Sequence, residues 1–328
     1  MNLADRLLTN GLLVTMNALG EIIPQGAVAI RGRDIVAVGA EEEVLAEWEA
    51  SEVVDCQGAA ILPGLVNTHA HAPMSLLRGL VDDLRLDVWL FGYMLPVERE
   101  FVSPEFCYWG TLLSCAEMIR SGVTCFADMY YYEHEVARAV AEAGMRAVCA
   151  ETIMKWPTPD AESYDEGLAL CRRFVEEWRD HPLVTPAVGP HAPETSTPDL
   201  LQESVQLARE YDVPLLIHIA ETVGGVDETV NVYDKRPVAV LEESGAFETQ
   251  VVAAHCVHIS KEEQAALAAA GVGVAHNPTS NLKLASGLAD VAGMLEAGVT
   301  VGIGTDGQAS SRPTSASSSG NQTLTWTS

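Results

Sequence analysis

The sequence contains very little lysine and no long apolar run. Only four of its 19 basic residues are lysines, against 46 acidic residues, and its net charge is −27. Such an acidic surface repels phosphate backbones, so we expect no nucleic-acid partner. No run reaches the roughly 18 apolar residues that a membrane span needs, and the N-terminus MNLADRLLTNG has no basic segment followed by an apolar one. We expect a cytoplasmic protein without a membrane partner.

Paired cysteines and several catalytic motifs are also lacking. The seven cysteines are scattered and form no C-x-x-C pair, which suits a reducing compartment and disfavours a cysteine-bound zinc. We find no H-E-x-x-H, no H-x-E with P-C-x-x-C, no Walker loop, no G-x-G-x-x-G after a strand and no G-x-S-x-G. Serine hydrolases, nucleotide-phosphate enzymes and dehydrogenases therefore lose support.

The apolar pattern changes at about residue 60. Residues 1–59 read as short strands with a turn at RGRD, which is typical of a hairpin-rich β segment. Beyond it, eight apolar runs alternate with helical stretches, which predicts a TIM barrel over residues 60–307, with a doubly wound open sheet as the alternative. The runs are AAILPGLVN, VTCFADM, RAVCAETI, LVTPAVG, PLLIHIA, VVAAHCV, GVGVAHN and TVGIGTD.

The last segment, residues 308–328, is rich in serine and threonine and has no helix or strand period. An eight-fold barrel should have a helix after its eighth strand, and this segment encodes none. We therefore expect a disordered or frameshifted tail in a chain that stops early. An inactive fragment that cannot complete its fold is the competing interpretation.

Polar residues stand where the predicted strands end, and such ends share one rim of a barrel. His69 and His71, two residues apart after the first run, would share one face of a strand. With His218 after the fifth run and Asp306 after the eighth, they form a set of three imidazoles and one carboxylate. That set suits zinc or ferrous iron, which can lower the pKa of bound water toward neutrality. A hydrogen-bonded pair in a polar loop is the alternative for the two histidines.

Further polar residues complete this rim. Glu221 follows His218 by three residues, so it can face the pocket and carry protons. The alternative for Glu221 is an acid at a helix N-terminus, stabilised by the helix dipole. Histidines also end the fourth, sixth and seventh runs, namely His191, His255 and His276.

These motifs resemble the amidohydrolase superfamily, in particular its branch of 5-methylthioadenosine/S-adenosylhomocysteine deaminases and related aminohydrolases and chlorohydrolases. The matching text is ILPGLVNTHAHAPMSLLRGLVDDLRLDVWL, LPVERE, GPHAPET, HIAET, AAHCVH, AHNPTSNLKLASG and GIGTDG. The resemblance implies hydrolytic deamination of an adenosine-type nucleoside: 5-methylthioadenosine, 5-deoxyadenosine, adenosine or S-adenosylhomocysteine. Another aminohydrolase or chlorohydrolase is the alternative. The resemblance also implies a small β-sandwich domain, of which residues 1–59 would be the N-terminal half and the C-terminal half would be missing.

The resemblance also implies a role for each residue near the reaction. Glu221 would be the acid/base beside the ring nitrogen of the substrate, and Asp306 and His255 would relay protons near the leaving group. No lysine ends the fourth strand, where binuclear relatives carry one, so a single divalent metal is implied, with zinc favoured over iron. Its ligands would be His69, His71, His218 and Asp306.

Substrate contacts follow from the same resemblance. Glu98 in LPVERE would accept hydrogen bonds from ribose hydroxyls, with an exposed helix acid as the alternative. His191 would face the substrate, and Trp89 would line an apolar pocket or belong to the core. Glu151 stands where the branch has the first of two arginines for the amino-acid end of the substrate, and the second is also missing, so we expect weak recognition of S-adenosylhomocysteine. The sequence leaves open whether the chain forms a homo-oligomer.

Overall fold

The computed structural model describes residues 1–81 and 84–310. By its internal contacts the chain divides into two compact units, of which the first contains Met1–Gly64 and the second begins at Leu65. No helix within these described residues has the length and apolar character needed to cross a membrane. The predicted tail, residues 308–328, lies outside the described residues except for a 3-10 turn at Gln308–Ser310.

The first unit contains one mixed sheet among its described residues, so a second sheet of the expected sandwich is not among them. Its strands are β1 (Asn2–Val14), β2 (Ile22–Arg31), β3 (Asp34–Ala40), β4 (Trp48–Asp55) and β5 (Ala60–Ile61). The order is β3-β2-β1-β4, in which the first three strands pair antiparallel and β4 pairs parallel to β1. A helix that the sequence pattern did not suggest, α1 (Glu41–Glu47), follows β3.

The first apolar run is divided between the two units. Its beginning, β5, pairs with β1, whereas its end continues into the first strand of the second unit. The predicted boundary at residue 59 stays a prediction, and the compact first unit extends to Gly64.

The second unit contains a sheet of nine parallel strands. The first seven correspond one by one to the first seven predicted runs, and the last two lie at the eighth run. The nine strands are β6 (Leu65–His71), β7 (Val123–Tyr130), β8 (Arg146–Ile153), β9 (Val184–Pro190), β10 (Leu215–Ile219), β11 (Val251–His255), β12 (Gly273–His276), β13 (Thr300–Ile303) and β14 (Asp306–Gly307). Neighbouring strands are paired in chain order from β6 to β13. Seven of the eight connections pass through helices, as parallel pairing requires.

The sheet closes because β13 and β14 are two halves of one interrupted strand. β13 pairs with β12, and β14 pairs with β6, so the two edges of the sheet meet within five residues of chain. At the interruption, the Thr305 backbone N–H donates to the His69 carbonyl at 3.0 Å, and Asn67 exchanges hydrogen bonds with Thr305. A Cβ added to Gly304 would lie 2.9 Å from the His69 carbonyl oxygen, so only glycine fits there. The arrangement is that of a TIM-like α/β barrel.

Helices connect these strands, and several begin at side chains that suit a helix N-terminus. The α-helices are α2 (Leu86–Trp89), α3 (Leu95–Phe101), α4 (Pro104–Arg120), α5 (Glu133–Ala143), α6 (Tyr164–Trp178), α7 (Pro198–Tyr211), α8 (Val223–Tyr233), α9 (Pro237–Glu243), α10 (Lys261–Ala269), α11 (Pro278–Lys283) and α12 (Val291–Glu296). A 3-10 helix, Ala72–Leu77, follows β6, and a π-helical turn, Leu90–Met94, joins α2 to α3. Side chains that accept a backbone N–H at the N-cap are Ser103, Ser163, Thr197, Thr222, Ser260 and Asp290.

Candidate active site

Three imidazoles converge where the barrel strands end. His69 and His71 lie two residues apart on β6, and His218 lies on β10. The Nδ1 atoms of His71 and His218 face the backbone carbonyls of Met129 and His191, the latter at 2.7 Å. A carbonyl accepts, so each Nδ1 carries a proton, which leaves each Nε2 free to bind a cation.

Asp306 completes this cluster. Its Oδ1 lies 3.3 Å from His69 Nε2 and 3.1 Å from His71 Nε2, and His69 Nε2 lies 3.2 Å from His218 Nε2. One ligand atom from each of the four residues lies within 4.8 Å of the others. Four ligands at about 2.0–2.1 Å from a tetrahedral zinc would be separated by about 3.3 Å. The described residues therefore provide a fitting site for one divalent metal.

The protonation of the imidazoles also suits a cation. Burial lowers the pKa of His69 to about 4 and the pKa of His218 well below its usual value, so both rings are neutral ligands. At His71, burial also lowers the pKa, but the hydrogen bond and charge of Asp306 outweigh it and raise the pKa to about 9. A cation at the centre would displace that proton.

The backbone is strained around this cluster. Four non-glycine residues at the ends of β10, β11 and the interrupted eighth strand have positive φ: Ala220 (48°), His255 (74°), Cys256 (48°) and Asp306 (61°). Such conformations cost energy and concentrate at functional sites. One of these residues, Asp306, belongs to the cluster, and another, His255, lies beside it.

Glu221 and His255 lie beside the four candidate metal ligands. Glu221 precedes the N-cap of α8 and faces the cavity, with its Oε2 3.7 Å from His255 Nε2. Ser286 Oγ donates to Glu221 Oε1 at 2.9 Å. Burial raises the pKa of Glu221, which favours its protonated form. His255 Nδ1 meets Asn281 Oδ1 at 2.8 Å, and this contact directs His255 Nε2 toward Glu221 and Asp306.

A cavity of about 480 Å³ opens over the cluster, and the predicted substrate residues line it. Glu98 is 2% exposed, so its alternative reading as an exposed helix acid is wrong. Tyr130 Oη donates to Glu98 Oε1 at 2.7 Å, while burial raises the pKa of Glu98 to about 7. Trp89 both lines the cavity and belongs to the core, and its indole N–H has no hydrogen-bond partner among the described residues. His191 lines the same cavity, with Nδ1 2.9 Å from Thr195 Oγ1.

The structure thus brings together every residue that the sequence assigned to the metal, to proton transfer and to the substrate, although their roles stay predictions. It also adds residues that the sequence reading missed. Asn281 and Ser286 lie in the quoted stretch AHNPTSNLKLASG, which could have signalled them. Tyr130 ends β7 without a recognisable signal. Asp128, buried beside it, accepts the Ala72 backbone N–H at 2.6 Å and so fixes the chain just after His71.

Fold and site together define a class of protein: a closed parallel α/β barrel with a site for one divalent metal at the carboxyl ends of its strands. The sequence profile of the Amidohydrolase family matches residues 60–326, and the chain belongs to this family.

Three relatives illustrate the similarity. The chain is 46% identical over 307 residues to the 5-methylthioadenosine/S-adenosylhomocysteine deaminase of Syntrophobacter fumaroxidans, which covers 94% of this chain and 70% of that protein. A crystal structure of an adenosine deaminase from Xanthomonas campestris with bound zinc superposes with a TM-score of 0.90 at 37% identity, covering 94% and 70% of the two chains. The crystal structure of atrazine chlorohydrolase from Arthrobacter aurescens with zinc superposes with a TM-score of 0.83 at 26% identity. The match covers 93% of this chain and 72% of the chlorohydrolase.

Proposed function

We propose that the protein catalyses metal-dependent hydrolytic deamination of an adenosine-type nucleoside, yielding the inosine analogue and ammonia. The candidate substrates are 5-methylthioadenosine, 5-deoxyadenosine, adenosine and S-adenosylhomocysteine. The observation that carries the proposal is the Glu221 carboxyl, only 12% exposed, beside a cluster of three histidines and one aspartate that line a nucleoside-sized cavity. The 46% identity to a protein named as such a deaminase supports the substrate class.

We further propose zinc as the metal. The nitrogen and oxygen ligands suit it, and the adenosine deaminase with the same fold contains it. A divalent metal held by His69, His71, His218 and Asp306 would supply Lewis acidity and lower the pKa of water toward neutrality.

The side chains around the metal would move the protons of the reaction. Water must add to C6 of the purine, a proton must reach the neighbouring ring nitrogen, and the amine must leave with another proton. Glu221 is protonated more readily than a free glutamate, so it can give a proton to the ring nitrogen and recover one from water. His255 and Asp306, 3.9 Å apart through Nε2 and Oδ2, lie where they can accept and return protons as charge develops on the added oxygen.

The rest of the cavity would hold the nucleoside. The Glu98 carboxylate can accept from both hydroxyls of a ribose, with Tyr130 keeping it in one orientation. His191 and Trp89 would contact the purine. The chlorohydrolase alternative is not favoured. The sequence identity to the named deaminase is 46%, whereas the identity to the chlorohydrolase is 26%.

A substrate panel tests this proposal. Ammonia and chloride release are measured for adenosine, 5-methylthioadenosine, 5-deoxyadenosine, adenine, guanine, cytosine and a chlorotriazine. We expect the nucleosides to be deaminated with kcat/KM at least about tenfold above adenine, because two ribose hydroxyls can donate to Glu98 and each hydrogen bond contributes about 0.5–1.5 kcal/mol. The matched control is 2′,3′-dideoxyadenosine, which keeps the sugar but lacks the diol and should lose the same advantage. Preference for a free base or for a chlorotriazine would reject the proposal.

Metal stoichiometry provides a second prediction. Elemental analysis of the purified chain, after reconstitution with zinc, should give one equivalent per chain. The reason is that a single cluster of candidate ligands exists among the described residues and that no lysine ends β9 to bridge a second ion. Two equivalents, or none, would contradict the single-metal site whether or not the preparation is active.

A further inference from the structure

His258 follows β11, next to the site, and has no part in the proposed reaction. It lies three residues after His255, at the end of the stretch AAHCVH, and it is half-buried. Its Nε2 lies 2.7 Å from the backbone carbonyl oxygen of Ser286. A carbonyl accepts, so Nε2 carries a proton and donates the hydrogen bond. The ring of His258 therefore binds the segment after α11 that contains Ser286.

The backbone of His258 is also fixed by two hydrogen bonds. Its N–H donates to the Ala220 carbonyl at 2.9 Å, and its own carbonyl accepts from the Arg236 guanidinium at 2.7 Å. Ala220 directly precedes Glu221 and has a positive φ of 48°. His258 is thus connected to Glu221 twice. Its backbone binds the residue before Glu221, and its ring binds the residue whose hydroxyl contacts the Glu221 carboxyl.

Ser286 is buried and forms a hydrogen bond through each of its polar groups. Its N–H donates to the Asn281 carbonyl at 2.8 Å, its carbonyl accepts from His258, and its hydroxyl donates to Glu221 Oε1 at 2.9 Å. The next residue, Gly287, has a φ of 126°, and a Cβ added there would lie 3.3 Å from Cε1 of the His258 ring. The chain therefore passes closely against this ring, and the position of the Ser286 hydroxyl depends on it.

The hydrogen bond from Ser286 distinguishes the two oxygens of Glu221. In a neutral carboxyl the carbonyl oxygen is the acceptor, so Oε1 accepts from the serine and the proton lies on Oε2. Oε2 is the oxygen 3.7 Å from His255 Nε2, beside the candidate metal ligands. A shift of Ser286 would free Oε1 and allow the carboxyl to turn. Misplacement of a reacting group by about 1 Å can cost about a hundredfold in rate.

We propose that His258 is a positioning residue for the reaction: through the backbone of Ser286, it keeps the Glu221 carboxyl in the orientation in which Oε2 exchanges the proton. This inference rests on the proposed function. His258 would act on the proton carrier rather than on the nucleoside, so its loss should lower kcat and leave KM nearly unchanged.

The test uses two variants of equal side-chain length that differ in their hydrogen-bonding groups. His258→Met removes the donor, whereas His258→Gln can still donate to the Ser286 carbonyl from its amide nitrogen. Ser286→Ala removes the hydroxyl that contacts Glu221, and it is combined with His258→Met in a double-mutant cycle. The control is His181→Met, because His181 is a half-buried histidine that accepts backbone N–H groups at the amino end of β9, away from the rim. For every chain, kcat and KM are measured with the preferred nucleoside, beside zinc content and melting temperature.

We expect His258→Met and Ser286→Ala each to lower kcat by about tenfold, with KM within about twofold of the parent value and the zinc content unchanged. Both changes act on the same carboxyl, so the double variant should also lose about tenfold, whereas independent effects would multiply to about a hundredfold. His258→Gln should recover most of kcat, and His181→Met should retain it.

Parental kcat in His258→Met would overturn the inference, and multiplied losses in the double variant would do the same by giving His258 an effect independent of Ser286. Equal losses in His258→Met and His258→Gln would attribute the effect to packing of the ring and equally overturn it. Parental kcat in Ser286→Ala would also reject it, and this variant keeps the test valid where His258→Met does not fold. A parent chain without deamination would reject the proposed function, whereas turnover that survives His258→Met rejects this inference alone.

Discussion

Glu221→Gln is expected to keep the metal and to lose at least about two orders of magnitude in kcat, the usual scale for removal of a general acid/base. Glutamine has nearly the size of glutamate and can still interact with Ser286, but it has no proton to transfer. The raised pKa of Glu221 shows that burial already favours the form that donates. Turnover of the preferred nucleoside and metal content are measured on the same preparation, and substrate affinity is followed separately through KM.

The control for this variant is Glu228→Gln, an exposed carboxylate on α8 that lines the mouth of the same cavity. It removes the same charge from the same cavity, so a loss of less than about tenfold there would separate proton transfer from a general electrostatic effect. Near parental turnover by Glu221→Gln would exclude Glu221 as the proton carrier. A loss of metal from that variant would instead indicate that Glu221 supports the cluster.

The barrel and its rim could be predicted because each strand can be recognised from its own residues. A parallel strand is buried on both faces, so it reads as a continuous apolar run, and eight such runs separated by helical stretches have few alternative folds. The ends of parallel strands lie at the same rim, and for that reason His69, His218 and Asp306 could be grouped although nearly 240 residues separate the first from the last. In the structure, His69 Nε2 lies 3.2 Å from His218 Nε2 and 3.3 Å from Asp306 Oδ1.

Features that depend on contacts between distant segments could not be predicted in the same way. The interruption of the eighth strand at Gly304 follows from the close approach of the His69 carbonyl, which is absent from any local pattern. Tyr130 contacts Glu98 across 32 residues, and Asn281 orients His255 across 26. A tyrosine or an asparagine has no periodic signal, so only the folded arrangement identifies these partners.

Two buried carboxylates behind the rim also have partners that the sequence pattern does not predict. Burial raises the pKa of both Glu133 and Glu151 well above the usual range, and each is nonetheless tied to backbone: Glu133 accepts the Tyr130 N–H at 2.9 Å, and Glu151 accepts the Glu133 N–H at 3.1 Å. Acidic residues are rarely buried without partners. From the sequence, Glu151 stands where the branch has an arginine that binds the substrate. In the structure, the Glu151 carboxylate instead accepts a backbone N–H at the turn between β7 and α5.

Asp306→Asn is expected to lower metal affinity by at least about a hundredfold and to abolish most of the turnover. Asp306 is the single carboxylate of the cluster, and loss even of groups that merely support metal ligands costs about 10–100-fold in affinity. Asparagine keeps the shape of the side chain but removes the charge that faces His69 and His71 at 3.3 and 3.1 Å. Competition with a chromophoric chelator measures the affinity, and the same zinc concentration should raise the melting temperature of the parent chain more than that of the variant. Asp227→Asn, an exposed aspartate on α8, is the control and should bind zinc as the parent does. An Asp306→Asn chain that binds zinc as tightly as the parent would remove Asp306 from the ligands and reduce the site to its three histidines.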